Sequence, residues 1–287
     1  VSLLYEGAVA GSIPIIRTLE EYYNNDTLTR LEGILNGTTN YILTKVQTEQ
    51  KTYANVLREA QQLGFAESNP TNDVQAFDPK YKLVILLAHA FGLVVNPKQI
   101  FNYGIEQLSE YELRFAKQRD YELKLIASAD IFKNKVRAFV LPKFIKKTDS
   151  FYAVNNEFNA VQVSAAFSDK QLLTGKGAAS FPTAAAVLSD ISALRYSYNY
   201  EYHKLNKSTD LKIDNDVYLS VYLRYNNNDI LQQLQFENVS EDYRSKGFNY
   251  IIGTISVQKL IDANLLNNKD VFVAAIDEVY NQSETAT

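Results

Sequence analysis

Between residues 196 and 209 the chain turns polar and tyrosine-rich, opening as Tyr196-Ser-Tyr-Asn-Tyr-Glu-Tyr-His203, and this break constrains the fold more than any other feature. It reads as a linker. The 287 residues suit roughly two domains at the usual 100–200 residues each. The expected division is residues 1–197, a linker over 198–209, and residues 210–287.

Before the linker, residues 1–9 read as a strand broken by Gly7, Gly11, Ser12 and Pro14. Residues 15–23 read as helix, and 31–35 as a short strand stopped by the Asn36-Gly37 turn signal. A helix follows, with Thr39 or Asn40 as its N-cap. Residues 53–63 show helical apolar spacing and a Gly64 C-cap. The polar segment 67–77 has no repeating pattern. Asp78-Pro79 then reads as an N-cap with proline at the first position of a helix ending at Gly92. Residues 109–165 alternate between strands and short helices, 172–177 is a strand with a glycine turn, and 182–194 is helical. Beyond the linker the order is strand (217–225), helix (229–234), strand (236–239), strand (249–255), helix (257–263) and strand (271–275). That βαββαβ order is ferredoxin-like. The expected fold class is α/β in the α+β sense: a mixed-sheet domain with helices, then a small ferredoxin-like domain.

Apolar residues make up 46% and charged residues 22%, an ordinary soluble balance. The net charge of −4 gives no electrostatic reason to expect nucleic acid or an anionic membrane as partner. The absence of cysteine excludes disulfides, thiolate nucleophiles and cysteine-ligated zinc. His89 and His203 are far apart, which argues against a histidine-rich metal site or a Ser-His-Asp triad. His89 falls near the end of its helix and reads as a core or last-turn histidine. The longest apolar run, 83–88, is too short for a bilayer. With no signal-peptide pattern in front of it, the chain is expected to be soluble and cytoplasmic. Val1 to Tyr5 looks like a strand already under way, which predicts a piece of a longer chain.

The chemistry concentrates in Gly64-Phe-Ala-Glu67-Ser-Asn-Pro-Thr-Asn-Asp73-Val-Gln-Ala-Phe-Asp78-Pro-Lys-Tyr-Lys82. Three carboxylates lie in a loop that feeds a helix, with Lys82 in the first turn. A cation there opposes the helix dipole by up to about 1 kcal/mol. Asp78, four residues before it on the same face, offsets that effect. A lysine held beside carboxylates is a credible proton donor and acceptor. The plainer alternative stays open: Asp78 as a cap only, and Asp78–Lys82 as a surface ion pair.

This segment resembles the signature of homoserine dehydrogenases, matching at Gly64, Ala66, Glu67, Pro70, Thr71, Asp73, Asp78 and Lys82. Blocks at 5–16, 33–43, 159–161 and 175–184 resemble others of that family in the same order, so the resemblance covers residues 1 to about 197. It implies NAD(P)-dependent interconversion of L-homoserine and L-aspartate 4-semialdehyde, in the biosynthesis of threonine, methionine and isoleucine. It implies substrate binding by Glu67, Asp78 and Asp73, whose charge suits an amino-acid ammonium, and proton transfer by Lys82. Gly64, Gly175 and Gly177 would approach the NADP or NAD cofactor. A monovalent cation, typically sodium, would sit on Glu6, Val9, Gly11 and Ile13 through backbone carbonyls. The glycine loop 175–180 lacks the third glycine and the later acid of a dinucleotide fingerprint. The resemblance implies that the main dinucleotide domain lies upstream, with the 182–194 helix packed on it. The tail resembles an ACT domain, although Tyr225-Asn-Asn-Asn-Asp229 replaces its usual Asp-x-x-Gly turn. A homodimer or higher homo-oligomer is expected. The competing expectation is a non-catalytic module for amino-acid sensing and dimerisation.

Overall fold

The computed structural model describes residues 1–207 and 210–280. The first half runs α1 (Ile15–Glu21), β1 (Leu28–Ile34), α2 (Gly37–Thr48), α3 (Tyr53–Gln62), α4 (Thr71–Val74), α5 (Phe77–Phe91), β2 (Phe101–Asn102) and α6 (Glu110–Gln118). Then come β3 (Tyr121–Phe132), β4 (Lys135–Lys146), β5 (Phe158–Ala165), β6 (Asp169–Lys176), α7 (Ser180–Leu194), α8 (His203–Asn206) and β7 (Lys212–Ile213). The tail is β8 (Tyr218–Tyr225), α9 (Asp229–Leu234), β9 (Asn238–Arg244), β10 (Asn249–Ser256), α10 (Val257–Asp262) and β11 (Val271–Tyr280).

The strands form one mixed sheet in the order β6-β5-β1-β3-β4-β11-β8-β10-β9, with β2 and β7 also pairing β4. The expected α/β class is therefore observed. Within the tail the order β11-β8-β10-β9 is antiparallel throughout, as the βαββαβ pattern predicts. Parallel pairing of β4 with β11, at Lys143 and Ala275, carries the sheet from one half to the other. Apolar residues of α1, α2 and α5 pack with those of the strands in one large core.

Four local expectations are corrected. Residues 1–9 form no strand. Ala8 N–H closes a turn on the Tyr5 carbonyl at 2.9 Å, and the buried Glu6 carboxylate accepts the Ile16 and Arg17 amides at 2.8 and 3.0 Å. Glu6 thus serves the orphan donors at the start of α1. Second, α2 begins at Gly37, and its N-cap is Asn36, which accepts the Thr39 amide at 2.9 Å. Third, the patternless segment 67–77 contains the short helix α4. Fourth, Asp78 is not a cap. The Lys80 amide already bonds to the Ala76 carbonyl, and Ala76, at φ +64, precedes the helix. The Asp78 carboxylate is thereby free for other partners. Gly64 and Gly92 close their helices in the left-handed conformation, at φ +78 and +67, as expected.

The tyrosine-rich stretch is packed. Tyr200 is buried, and Tyr202 stacks on His89 at 5.4 Å between ring centroids. Helix α7 exposes Phe181, Val187, Leu188, Ile191 and Leu194. Among the described residues, no helix is long and apolar enough to cross a membrane.

Candidate active site

Two chain turns and one helix start meet around a single asparagine. Asn36, at the junction of β1 and α2, donates its side-chain amide to Asp73 at 2.7 Å and to Asp78 at 2.8 Å. Lys82 Nζ donates to the same Asp78 oxygen at 2.8 Å and to the Leu35 carbonyl at 3.0 Å. The pairing is not a free surface contact, since the Lys82 side chain is 20% exposed and that of Asp78 31%. Asp73, at the end of α4, has its carboxyl pKa raised above the ordinary carboxylate value. Burial is the main cause, and the charges of Asp78 and Glu67 add to it, against opposing pulls from Asn36 and Lys82. Glu67 itself is exposed on the loop between α3 and α4. Its backbone carbonyl accepts from Gln61 at 3.0 Å.

All four of Glu67, Asp73, Asp78 and Lys82 therefore fall in one neighbourhood. Asn36, which joins Asp73 to Asp78, was missed as a site residue because Asn36-Gly37 reads as a turn. An asparagine just before a helix is equally an N-cap signal.

The predicted glycines fall into two groups. Gly64 lies in the open: a Cβ there would meet nothing within 4 Å, so backbone conformation alone asks for glycine. Gly175 and Gly177 lie at the end of β6, against the first loop. A Cβ at Gly175 would stand 2.9 Å from the Ile13 side chain, and one at Gly11 would stand 2.5 Å from the Gly177 carbonyl oxygen. Ser12 N–H and Oγ both donate to the Lys176 carbonyl at 3.1 Å. Sequence reading placed these loops in separate roles; the fold joins them.

A second missed residue lies behind the glycine loop. Asn159 is fully buried, and neither polar atom of its amide has a partner among the described residues. A Cβ on Gly177 would come within 2.1 Å of the Asn159 amide, and Gly37 lies on its other flank. Contacts thus run from Gly11 and Ile13 through Gly175, Gly177 and Asn159 to the start of α2, and on through Asn36 to Lys82.

For the predicted cation loop, Glu6 is already committed. Its carboxylate takes two backbone amides and lies 3.5 Å from the Arg17 guanidinium, while burial raises its pKa. Val9, Gly11 and Ile13 have no ligating side chain, so this loop offers carbonyl oxygens, which suit a hard cation. No cluster of three His, Cys, Asp or Glu capable of holding a metal occurs among the described residues. A cavity of about 450 Å³ lies elsewhere, lined by Arg30, Glu32, Lys143 and Gln162 among others, and contains none of the predicted site residues.

A mixed sheet carrying helix-borne acids around one lysine, beside a glycine loop, defines an α/β domain with a cluster of opposite charges at its helix starts. Comparison with known proteins gives the family. The sequence profile described as homoserine dehydrogenase matches residues 14–192. The homoserine dehydrogenase of Bacillus subtilis is 35% identical over 258 residues, covering 86% of this chain and 58% of that protein. Among solved structures, a homoserine dehydrogenase from Thiobacillus denitrificans superposes with a TM-score of 0.79 at 28% identity, covering 96% of this chain and 70% of that one. A hyperthermophilic archaeal homoserine dehydrogenase mutant, in complex with NADPH, gives a TM-score of 0.58 at 25% identity over 69% of this chain and 56% of that one. The chain belongs to the homoserine dehydrogenase family. It spans less than two thirds of the length of the Bacillus subtilis relative.

Proposed function

We propose that this chain is the substrate-binding and dimerisation part of a homoserine dehydrogenase that interconverts L-homoserine and L-aspartate 4-semialdehyde with NAD(P). The observation that carries the reading is the Asn36-centred cluster, in which Asp73, Asp78 and Lys82 share one hydrogen-bonded group. Glu67, Asp73 and Asp78 supply the negative potential that would bind the substrate ammonium. Lys82 has three ammonium donors, and Leu35 and Asp78 take two of them. The third is left for the substrate oxygen. In oxidation Lys82, as the free amine, accepts the hydroxyl proton; in reduction it returns that proton to the aldehyde oxygen. NAD(P), when bound, supplies the hydride exchange.

Gly64, Gly175 and Gly177 would line the cofactor's approach. The unpaired amide of Asn159 beside Gly177 supports a polar group arriving there. The archaeal relative, solved in complex with NADPH, supports NAD(P) as the cofactor. The main dinucleotide domain is proposed to lie in the remainder of the protein, with the exposed apolar residues of α7 as its contact. A monovalent cation is proposed on the first loop, through carbonyls of Glu6, Val9, Gly11 and Ile13. We place a domain division at residues 197 and 210, with an ACT-like tail supported by its strand order. The protein is proposed to act in the cytoplasm as a homodimer or larger homo-oligomer.

The test is substrate profiling of the full-length protein. Homoserine should drive NAD(P) reduction, and serine and threonine should not. Threonine binding by calorimetry with no homoserine turnover would instead leave a sensing module.

A further inference from the structure

Lys82 shares α5 with a second cluster that the proposed chemistry does not use. His89, about two turns further along the same face, is wholly buried. Its Nδ1 lies 2.5 Å from Glu20 of α1, and its Nε2 lies 2.8 Å from the Tyr5 hydroxyl. That hydroxyl is 3.0 Å from the hydroxyl of Tyr202, whose amide donates to the other Glu20 oxygen at 3.1 Å. One proton arrangement satisfies every group: Tyr202 O–H to Tyr5, Tyr5 O–H to Nε2, and Nδ1–H to Glu20. The rings of Tyr5, Tyr200 and Tyr202 surround the imidazole at 5.5, 5.2 and 5.4 Å. Lys204 donates to the carbonyls of His89 at 3.2 Å and Leu19 at 2.5 Å.

We propose that His89, through Glu20 and Tyr5, is a positioning residue for Lys82, fixing α5 against α1 and the first loop. The proposal rests on reading Lys82 as the proton-transfer group. The first loop is the body that touches Gly175 and Gly177. His89 therefore sits where the substrate-side helix is joined to the side that would meet the cofactor. Apolar packing alone would tolerate small sliding of α5. A buried imidazole with both nitrogens paired accepts one register and one rotation of the helix. A reacting group displaced by about 1 Å can lose about 100-fold in rate, so this anchor would matter to kcat before it matters to folding.

The experiment uses the full-length protein, with Tyr5→Phe, His89→Leu and His89→Gln, each alone and with Lys82→Ala. Tyr5→Phe and His89→Leu should lower kcat by about 10-fold, with the homoserine KM within about twofold. His89→Gln, which keeps a donor and an acceptor, should recover most of the loss. With Lys82 already removed, neither Tyr5→Phe nor His89→Leu should lower the residual rate further. Equal proportional losses with and without Lys82 would overturn the proposal, as would a rise in KM at unchanged kcat. Hydrogen exchange supplies a readout apart from activity: amides of residues 80–84 should exchange faster in His89→Leu. Unchanged exchange there would count against the proposal even if the wild type turned over no homoserine, an outcome that by itself would refute the enzymatic reading.

Discussion

Asn36 donates its side-chain amide to the Asp78 carboxylate across 2.8 Å. The bond ties the start of α2 to the start of α5, and the same nitrogen reaches Asp73 at 2.7 Å. A neutral donor between two acids lets them approach without cancelling the potential that an incoming ammonium needs. Asn36→Ala should therefore lose the α2 cap, worth about 1 kcal/mol, and also raise the homoserine KM. Asn36→Asp keeps the cap but adds a third carboxylate between two others. It should be the less stable variant at about pH 8, and should recover relative to Asn36→Ala as the acids protonate towards about pH 4. Thermal unfolding across that range checks both.

Asp73 carries the clearest electrostatic penalty in the cluster. Burial and the neighbouring charges of Asp78 and Glu67 raise its native pKa above the unfolded value. The native state therefore bears an unfavourable charge above that raised pKa. The cost shrinks as pH falls through it and is gone below the unfolded value. Asp73→Asn should be more stable than wild type near neutrality, with the difference vanishing in acid, and should bind homoserine less well. Equal stability at every pH would remove Asp73 from this description.

Lys204 shows the opposite sign. Burial pulls its pKa from 10.5 down to about 8, with Glu20 opposing and Lys207 adding to the shift. Below about 8 the native state holds a poorly solvated ammonium. Above that value the native group sheds its proton while the unfolded one keeps it, so stability from this group rises with pH up to the unfolded pKa. Measured against Lys204→Met, wild type should gain stability between those two values. Taking the difference cancels the contributions of the buried tyrosines.

Gly177 and Asn159 should behave as a coupled pair. A Cβ on Gly177 would come within 2.1 Å of the buried Asn159 side chain, so Gly177→Ala alone should destabilise by about 1–3 kcal/mol through overpacking. Asn159→Ala removes both the obstruction and the unpaired amide. The double variant should be more stable than Gly177→Ala alone, and a double-mutant cycle in denaturant measures that coupling.

Much of this was legible in sequence where local rules act alone. Most tail elements follow hydrophobic period and turn chemistry, and α9 begins and ends where the pattern says; the strand expected over 236–239 instead runs over Asn238–Arg244, a polar, exposed edge strand held by backbone pairing to β10. The gathering of Asp78 and Lys82 follows from helical spacing. What sequence could not give came from distant partners. Residues 1–9 read as a strand, yet the α1 amides claim Glu6 instead. Asp78-Pro79 has the signature of a cap, yet an alanine at φ +64 starts the helix two residues earlier. Asn36 and Asn159 draw their meaning from groups far along the chain, as does the tyrosine-rich stretch, which His89 and Glu20 hold in place.

The proposed chemistry turns on Lys82, held by Asp78 beside Asn36, as the group that moves the proton. The most direct measurement is kcat for homoserine oxidation by the full-length protein, wild type against Lys82→Ala, with circular dichroism confirming that both fold. A loss of about 100-fold or more is expected, with the cofactor KM little changed. An unchanged kcat in the folded variant would contradict it.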